Sequence, residues 1–191
     1  LGVFDIIGFS IQYELCVTNI LNMLDLSGFP LRSKNRNHRH PIVIGGGPCV
    51  YNPEPFAPFF DVFLVGEGEE AILEFLALYE SMAPGESDEK RSDFLQEVAK
   101  LKGFYVPSLY GMENDGSLRP GAVVKKRLIK DLDHAIFPTK PLVPHTEIVH
   151  DRGVLELFRG CVRGCRFCQA GMIYRPRREK SMSTLLCDAE E

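Results

Sequence analysis

Three short apolar runs, each followed by small or glycine residues, lie within residues 4–10, 41–48 and 61–69. Runs of this kind are typical of strands buried in a parallel sheet. Residues 13–26 and 69–81 instead place their apolar side chains at helical spacing. Strands that alternate with helices across short links predict an α/β fold built on an open, doubly wound parallel sheet.

Turn residues are frequent in the middle of the chain. A polar loop at 82–90 precedes a short predicted helix at 93–101. Residues 103–124 combine β-favouring side chains with turn signals, which predicts a small hairpin. Residues 125–150 contain three prolines and predict an extended connector. A further strand, predicted at 153–159, runs directly into a cysteine-rich segment.

Charge is unevenly distributed along the chain. The net charge of −4 argues against a protein that binds nucleic acid over its whole surface. Residues 159–180 nevertheless carry seven basic side chains against one acid, Glu179, which predicts a positive patch around the cysteines. No stretch approaches the roughly 20 apolar residues of a membrane span. The first residues lack the basic flank and cleavage site of a signal peptide, so we expect a cytoplasmic protein.

The two ends of the chain predict a fragment of a longer protein. The chain opens on a strand without a Met and stops inside a helix predicted from residue 183, with Ser181 or Ser183 as its cap. Six cysteines without an export signal indicate a reducing compartment, where clustered thiols bind metal more often than they form disulfides. Cys16 and Cys49 lie apart from the cluster and are interpreted as small structural side chains.

The cysteine cluster is Cys161, Cys165 and Cys168, spaced C-x3-C-x2-C on one loop. Three thiolates on a tight loop can converge on one metal centre. A [4Fe–4S] cluster needs four ligands, so three from the protein leave one iron open to a substrate or cofactor. A closed zinc site with Cys187 as fourth ligand and unliganded thiols are the alternatives, although Cys187 lacks the paired C-x2-C spacing.

This cysteine loop resembles the signature of the radical S-adenosylmethionine (radical SAM) superfamily, in which an aromatic residue, here Phe167, directly precedes the third cysteine. The resemblance implies that Cys161, Cys165 and Cys168 hold a [4Fe–4S] cluster and that S-adenosylmethionine binds the open iron. It implies reductive cleavage of S-adenosylmethionine to a 5′-deoxyadenosyl radical, with Phe167 near the adenine. The rest of the S-adenosylmethionine site is expected beyond residue 191.

The wider sequence resembles radical SAM proteins with an N-terminal cobalamin-binding-like domain. The segments that carry this likeness lie at 8–14, 44–48, 52–55, 65–69 and 159–176. The resemblance implies three parts. They are an N-terminally truncated α/β domain of the Rossmann or flavodoxin type at 1–102, a hairpin and connector at 103–150, and the first strand and cluster loop of a truncated (β/α)6 barrel at 151–191.

The implied parent is an enzyme that modifies an unknown substrate by radical chemistry, and the fragment alone is expected to be inactive. A flavodoxin or ferredoxin is the expected electron donor. Arg175, Arg177, Arg178 and Lys180 suggest an anionic substrate such as RNA or a ribosomal target, or contacts to the S-adenosylmethionine carboxylate. A solvated face is the alternative reading of these residues. A zinc-stabilised binding module without catalysis is the alternative function.

Cobalamin binding is not expected of this fragment. The D-x-H-x-x-G motif of base-off cobalamin domains is absent, since His38 and His40 lack the Asp and Gly at the required offsets. Ser10 at a strand end and the glycines at 45–47 are compatible with a corrinoid tail, but glycines there commonly only permit a tight turn (Gly45, Gly46, Gly47). Because the chain begins at what resembles the third strand of the domain, such a motif could lie upstream.

Overall fold

A computed structural model describes residues 3–110, 123–138, 144–149 and 152–190. The chain divides into two compact units, Leu1–Leu128 (unit 1) and Ile129–Glu191 (unit 2). Within the described ranges, no helix is long and apolar enough to cross a membrane.

Unit 1 is built on a four-stranded sheet whose strands follow one another in chain order: β1 (Ile6–Ser10), β2 (Ile42–Gly46), β3 (Val62–Leu64) and β4 (Phe104–Tyr105). The first three strands are parallel, and β4 runs antiparallel to β3. The predicted α/β class is therefore confirmed, with an antiparallel strand at one edge of the sheet.

Three helices cover both faces of this sheet: α1 (Cys16–Leu26), α2 (Ala71–Met82) and α3 (Asp88–Val98). Alternate side chains of a strand point to opposite faces, so β2 and β3 contribute to two separate cores. One core joins Val43 and Phe63 to α1, and the other joins Ile42, Ile44, Val62 and Leu64 to α2 and α3. Helices on both faces explain why the strands are apolar throughout.

The structure differs from the sequence-based prediction after α2. Helix α3 begins at Asp88, five residues before the predicted start, because the Ser87 hydroxyl accepts a hydrogen bond from Lys90 N at 3.1 Å and caps the helix. Phe104 and Tyr105 pair with β3 and so belong to the main sheet. The turn of the predicted hairpin lies outside the described residues.

A buried ionic triad joins three loop and helix segments of unit 1. Both oxygens of the Asp61 carboxylate are engaged, with Arg36 Nε at 3.1 Å and an Arg91 guanidinium nitrogen at 3.3 Å. The same carboxylate accepts the backbone N–H of Val43 at 2.8 Å. Arg36 and Arg91 donate their remaining bonds to backbone carbonyls, including Phe59 O and His40 O. Burial lowers the pKa of Arg36, and the Asp61 carboxylate opposes that shift.

The connector is fastened to the end of β3 through its backbone. Arg127 N donates to Val65 O at 2.8 Å, and Arg127 O accepts from Glu67 N at 3.2 Å. Gly66 lies against this segment at a φ of +115°, and a Cβ there would stand 2.1 Å from Arg127 O. Only glycine permits so close an approach.

Unit 2 contains a two-stranded antiparallel sheet of β5 (Phe158–Arg159) and β6 (Arg178–Glu179), and two helices, α4 (Ala170–Ile173) and α5 (Met182–Glu190). The strand predicted at 153–159 is thus limited to its last two residues. Of the two predicted caps of helix α5, Ser181 is the one observed, because its Oγ accepts a hydrogen bond from Thr184 N at 3.3 Å.

Candidate metal centre

The three clustered cysteines lie on the loop that joins β5 to α4. Gly160 opens this loop at a φ of +97°, and a Cβ there would stand 2.7 Å from Tyr174 O and 2.8 Å from Arg177 Cα. The chain therefore turns out of β5 directly against the residues that lead into β6. Gly164, at a φ of +65°, provides a second turn between the first two cysteines.

The thiols on this loop remain accessible. Cys161 and Cys168 are half-buried, Cys165 is exposed, and all are free thiols. A backbone hydrogen bond of 3.1 Å from Cys168 N to Cys165 O tightens the second half of the loop. Across the described parts of the chain, no three His, Cys, Asp or Glu side chains are gathered as a metal site. The donor set of three soft thiols on one loop nevertheless fits an iron–sulfur cluster.

Two further side chains bear on the metal prediction. Phe167 is 92% exposed, so its ring stands out from the cysteine loop instead of packing into unit 2. Cys187 lies exposed on α5, and the structure does not assemble it with the loop cysteines into a metal site among the residues described.

Most of the predicted basic patch is occupied by contacts within unit 2. Lys180 is buried and its Nζ lies 2.6 Å from the Asp188 carboxylate. Arg177 lies 2.8 Å from Glu179 and over the Phe158 ring. Arg159 pairs with the Glu156 carboxylate, and Arg178 donates hydrogen bonds to backbone carbonyls.

Three further arginines, all exposed, lie on or beside the cysteine loop. Arg163 and Arg166 are on the loop itself, and a guanidinium nitrogen of Arg175 lies 3.8 Å from the position of a Cβ on Gly164. Three thiolates would add negative charge to this loop, and nearby guanidinium groups offset such charge. The arrangement is electrostatically suited to an anionic centre.

The residues considered for a corrinoid tail meet at the carboxyl edge of the sheet, where Ser10 pairs in register with Gly46. At two of these three positions, close packing explains why the residue is glycine. A Cβ on Gly45 would stand 2.8 Å from the Phe63 ring, and Gly47, at a φ of +96°, lies against the backbone of Ile11. Of the three glycines at 45–47, Gly46 is the one at which a Cβ would meet no atom within 4 Å.

The histidines considered for cobalt do not reach this edge. His38 and His40 precede β2 and therefore lie towards its amino end, opposite Ser10 and Gly46. His38 Nδ1 is 2.9 Å from the Asp88 carboxylate at the start of α3. His38 and His40 do not form a cobalt-ligating site at this edge of the sheet.

Two of the glutamates that follow β3 form ion pairs with the connector. Glu70 and Glu74 at the start of α2 lie 2.7 and 2.6 Å from the Arg127 guanidinium. These contacts hold the pKa of Arg127 above its ordinary value, with the Glu74 hydrogen bond as the largest cause.

Sequence reasoning missed a pocket in unit 1. Its rings are those of Tyr51, Tyr105 and Tyr110, and its two charged side chains are Glu54 and Lys126. These residues come from β4 and from segments that follow different strands, and nothing in their local sequence links them.

Comparisons with known proteins agree with the signature on the loop. The family model for the N-terminal region of radical SAM proteins matches residues 1–107, more than half of the chain. An uncharacterized protein of Methanocaldococcus jannaschii is 30% identical over 198 aligned residues, covering 98% of this chain. The chain spans 35% of that protein's length. With its matching α/β unit and its C-x3-C-x2-C loop, the chain belongs to the radical SAM proteins.

Proposed function

We propose that Cys161, Cys165 and Cys168 bind a [4Fe–4S] cluster with one open iron, and that S-adenosylmethionine binds there. The observation that carries this proposal is the C-x3-C-x2-C loop, turned by two positive-φ glycines, in a chain of the radical SAM family. When bound, the cluster supplies the electron that cleaves S-adenosylmethionine to a 5′-deoxyadenosyl radical. The whole protein would use this radical to modify a substrate.

The chain's own residues prepare the site. Gly160 and Gly164 give the loop its turns, and the three cysteines lie within one eight-residue segment of it. Arg163, Arg166 and Arg175 supply positive charge beside the thiolates. Phe167 presents an exposed ring that suits stacking on an adenine. Lys180 is buried in its ion pair with Asp188 and is not available to an anionic substrate, whereas Arg177 is partly exposed beside Glu179.

We further infer that 151–191 is the beginning of a (β/α)6 barrel. The support is the exposure of large apolar side chains that a complete barrel would cover: Val154, Leu155, Leu157, Phe158, Val162, Met172, Met182 and Leu186. Unit 1 is the α/β domain that precedes it, and cobalamin binding is not part of our proposal, because the sequence lacks the D-x-H-x-x-G motif that would supply a cobalt ligand. The electron donor is proposed to be a flavodoxin or ferredoxin. An RNA or ribosomal target is proposed from the positive charge of Arg163 and Arg166 on the loop.

Anaerobic reconstitution with iron and sulfide tests the proposal on the chain itself. We expect a brown species with about four iron atoms per chain. Cys165→Ala should abolish it, whereas Cys187→Ala, a matched control on α5, should bind the same amount of iron. Stoichiometric zinc that is lost in Cys187→Ala would overturn the cluster assignment in favour of a zinc-stabilised module. The readout is cluster content, because we propose that the fragment alone is inactive.

A further inference from the structure

The loop that joins α1 to β2 in unit 1 concentrates positive charge. We name residues 32–40 the basic loop, because this segment contains four Lys or Arg side chains, two histidines and no acid. Three of the four cations are exposed, Arg32, Lys34 and Arg39, and none of them forms an ion pair with a carboxylate of the residues that the structure describes. Lys90 on α3, by contrast, pairs with a carboxylate one helical turn away. In a chain with a net charge of −4, the basic loop is a localised positive surface.

The basic loop is fixed in place by its own side chains. Its fourth cation, Arg36, is buried and donates hydrogen bonds of 3.1 Å to two backbone carbonyls that precede the loop. The Arg32 guanidinium lies over the Phe59 ring, 5.9 Å from its centre. Asn37 Oδ1 accepts a hydrogen bond from Arg39 N at 3.1 Å. Because the backbone is already ordered, a ligand that binds the exposed cations pays less conformational entropy.

The charge beneath the basic loop is also positive. Arg36 and Arg91 share a single carboxylate, that of Asp61, so the buried ionic triad carries one more positive than negative charge. One acid reaches the loop from α3, where Asp88 Oδ1 accepts the backbone N–H of His38 at 2.7 Å. The three exposed cations and the triad together outweigh this acid, so the loop attracts anions.

A cleft of about 510 Å³ opens beside the basic loop. It lies at the amino edge of the sheet, since Asp61 just before β3 and Pro107 just after the antiparallel β4 line it. Ser33, Lys34 and Asn37 of the basic loop are also part of its lining. Most of the lining surface is apolar, and the volume lies in the range of about 300–1,000 Å³ that is common for ligand sites. Each carboxylate of the lining already accepts a hydrogen bond within the protein (Glu54, Asp61, Asp88).

We propose that the basic loop and this cleft bind single-stranded RNA, with phosphates on the exposed cations and one base in the cleft. A nucleotide joins a negative phosphate to an uncharged base, which matches positive side chains beside a largely apolar cleft. The strand must be unpaired, because a base held in a duplex cannot enter a cleft. Ser33 and Asn37 supply polar groups for the ribose 2′-hydroxyl, which distinguishes RNA from DNA. The inference rests on the RNA target proposed above and adds a binding surface that belongs to unit 1 alone.

Fluorescence anisotropy of the 191-residue chain with a labelled oligoribonucleotide of about ten nucleotides tests this proposal. We expect saturable binding that weakens as salt is added. Lys34→Gln/Arg39→Gln should weaken binding at low salt by at least about tenfold. The slope of log affinity against log salt should become shallower by about 1.4 in this double variant, because each lost phosphate contact on a single strand accounts for about 0.7.

Two further variants test the cleft and the specificity of the effect. Ser92→Leu places a larger side chain in the lining from an exposed position on α3. It should weaken binding by about 5- to 100-fold, the range for one lost base contact, without changing the salt slope. Lys102→Gln is the matched control, because Lys102 is exposed just before β4, at the opposite edge of the sheet. This variant should bind as the original chain does, and melting curves should show that every variant is folded.

Four results would overturn the inference. One is the absence of saturation at about 0.1 mM chain, the weak end of non-specific binding. The second is an unchanged salt slope in folded Lys34→Gln/Arg39→Gln, which would leave any RNA on Arg163 and Arg166 of the cysteine loop. The third is equal competition by polyphosphate, which has the charge but no base, and the fourth is equal affinity for DNA of the same sequence. Cys165→Ala should lose the cluster and keep RNA binding, so failure of the cluster proposal is seen separately.

Discussion

Replacement of Asp61 by Asn tests the buried ionic triad of unit 1. The side chains of Arg36, Asp61 and Arg91 are 0%, 4% and 8% exposed. Asn keeps the shape of the carboxylate but removes its charge, and its amide group turns a donor towards guanidinium donors. Two positive charges are then left in the interior with no counter-charge among the three.

The expected loss is large on the scale of the whole fold. Breaking a buried ion pair by removing one partner costs about 3–5 kcal/mol, whereas small domains have total stabilities of about 5–15 kcal/mol. With a urea slope of about 2 kcal/mol per molar, the unfolding midpoint should fall by about 1.5–2.5 M. The carbonyl bonds of Arg36 and Arg91 remain, so we expect a weakened fold with the same secondary structure.

Equilibrium urea unfolding followed by tyrosine fluorescence is the appropriate assay. Five of the six tyrosines belong to unit 1, and only Tyr174 belongs to unit 2, so the signal reports mainly on the unit that carries the triad. Asp25→Asn is the matched control, because Asp25 is exposed on α1, and it should change stability by less than about 0.5 kcal/mol. Equal midpoints for the two variants would refute the reasoning.

Three further predictions concern single positions. Gly66→Ala should destabilise unit 1 by about 2–4 kcal/mol through strain at positive φ and a clash with the connector backbone, whereas Gly46→Ala, facing open space, should unfold at nearly the same urea concentration. Lys180→Met should lower the free energy of unfolding by about 3 kcal/mol, because it leaves the Asp188 carboxylate on α5 without its ion-pair partner. Amide hydrogen exchange in α5 should become faster, and an unchanged exchange rate would contradict the prediction. Hydrogen bonds from His38 lower the pKa of Asp88. The contact between these two residues therefore stabilises the fold at neutral pH, and this stabilisation is lost as the pH falls through the lowered pKa. An Asp88 pKa at or above about 3.9, measured by NMR titration, would disprove the prediction.

Local signals in the sequence were sufficient for much of unit 1. The apolar runs identified β1, β2 and β3, because strands covered on both faces need apolar side chains at every position. The early start of α3 was also readable, since Ser87 followed by Asp88 and Glu89 is a capping sequence with acids in the first turn. The polar composition of that segment obscured the signal.

Long-range contacts could not be read from the sequence. Asp61 meets partners 25 and 30 residues away, at Arg36 and Arg91, and no local pattern links the three. The pairing of Phe104 with β3 is of the same kind, since two residues carry too little periodicity to choose a partner. For the cysteine loop the reverse holds, because the close spacing of its thiols is itself the local signal that predicts a metal site.

The fastening of the connector determines where the α/β unit can be cut from its neighbour. The family match ends at residue 107, yet the compact unit extends to Leu128, and Arg127 joins its backbone to Val65 and Glu67. An excised domain that stops at 107 would leave the Val65 carbonyl and the Glu67 amide without their partners and expose Gly66. A boundary after Leu128 keeps both backbone hydrogen bonds of Arg127 and is the better one for expressing the domain alone or grafting it onto another protein.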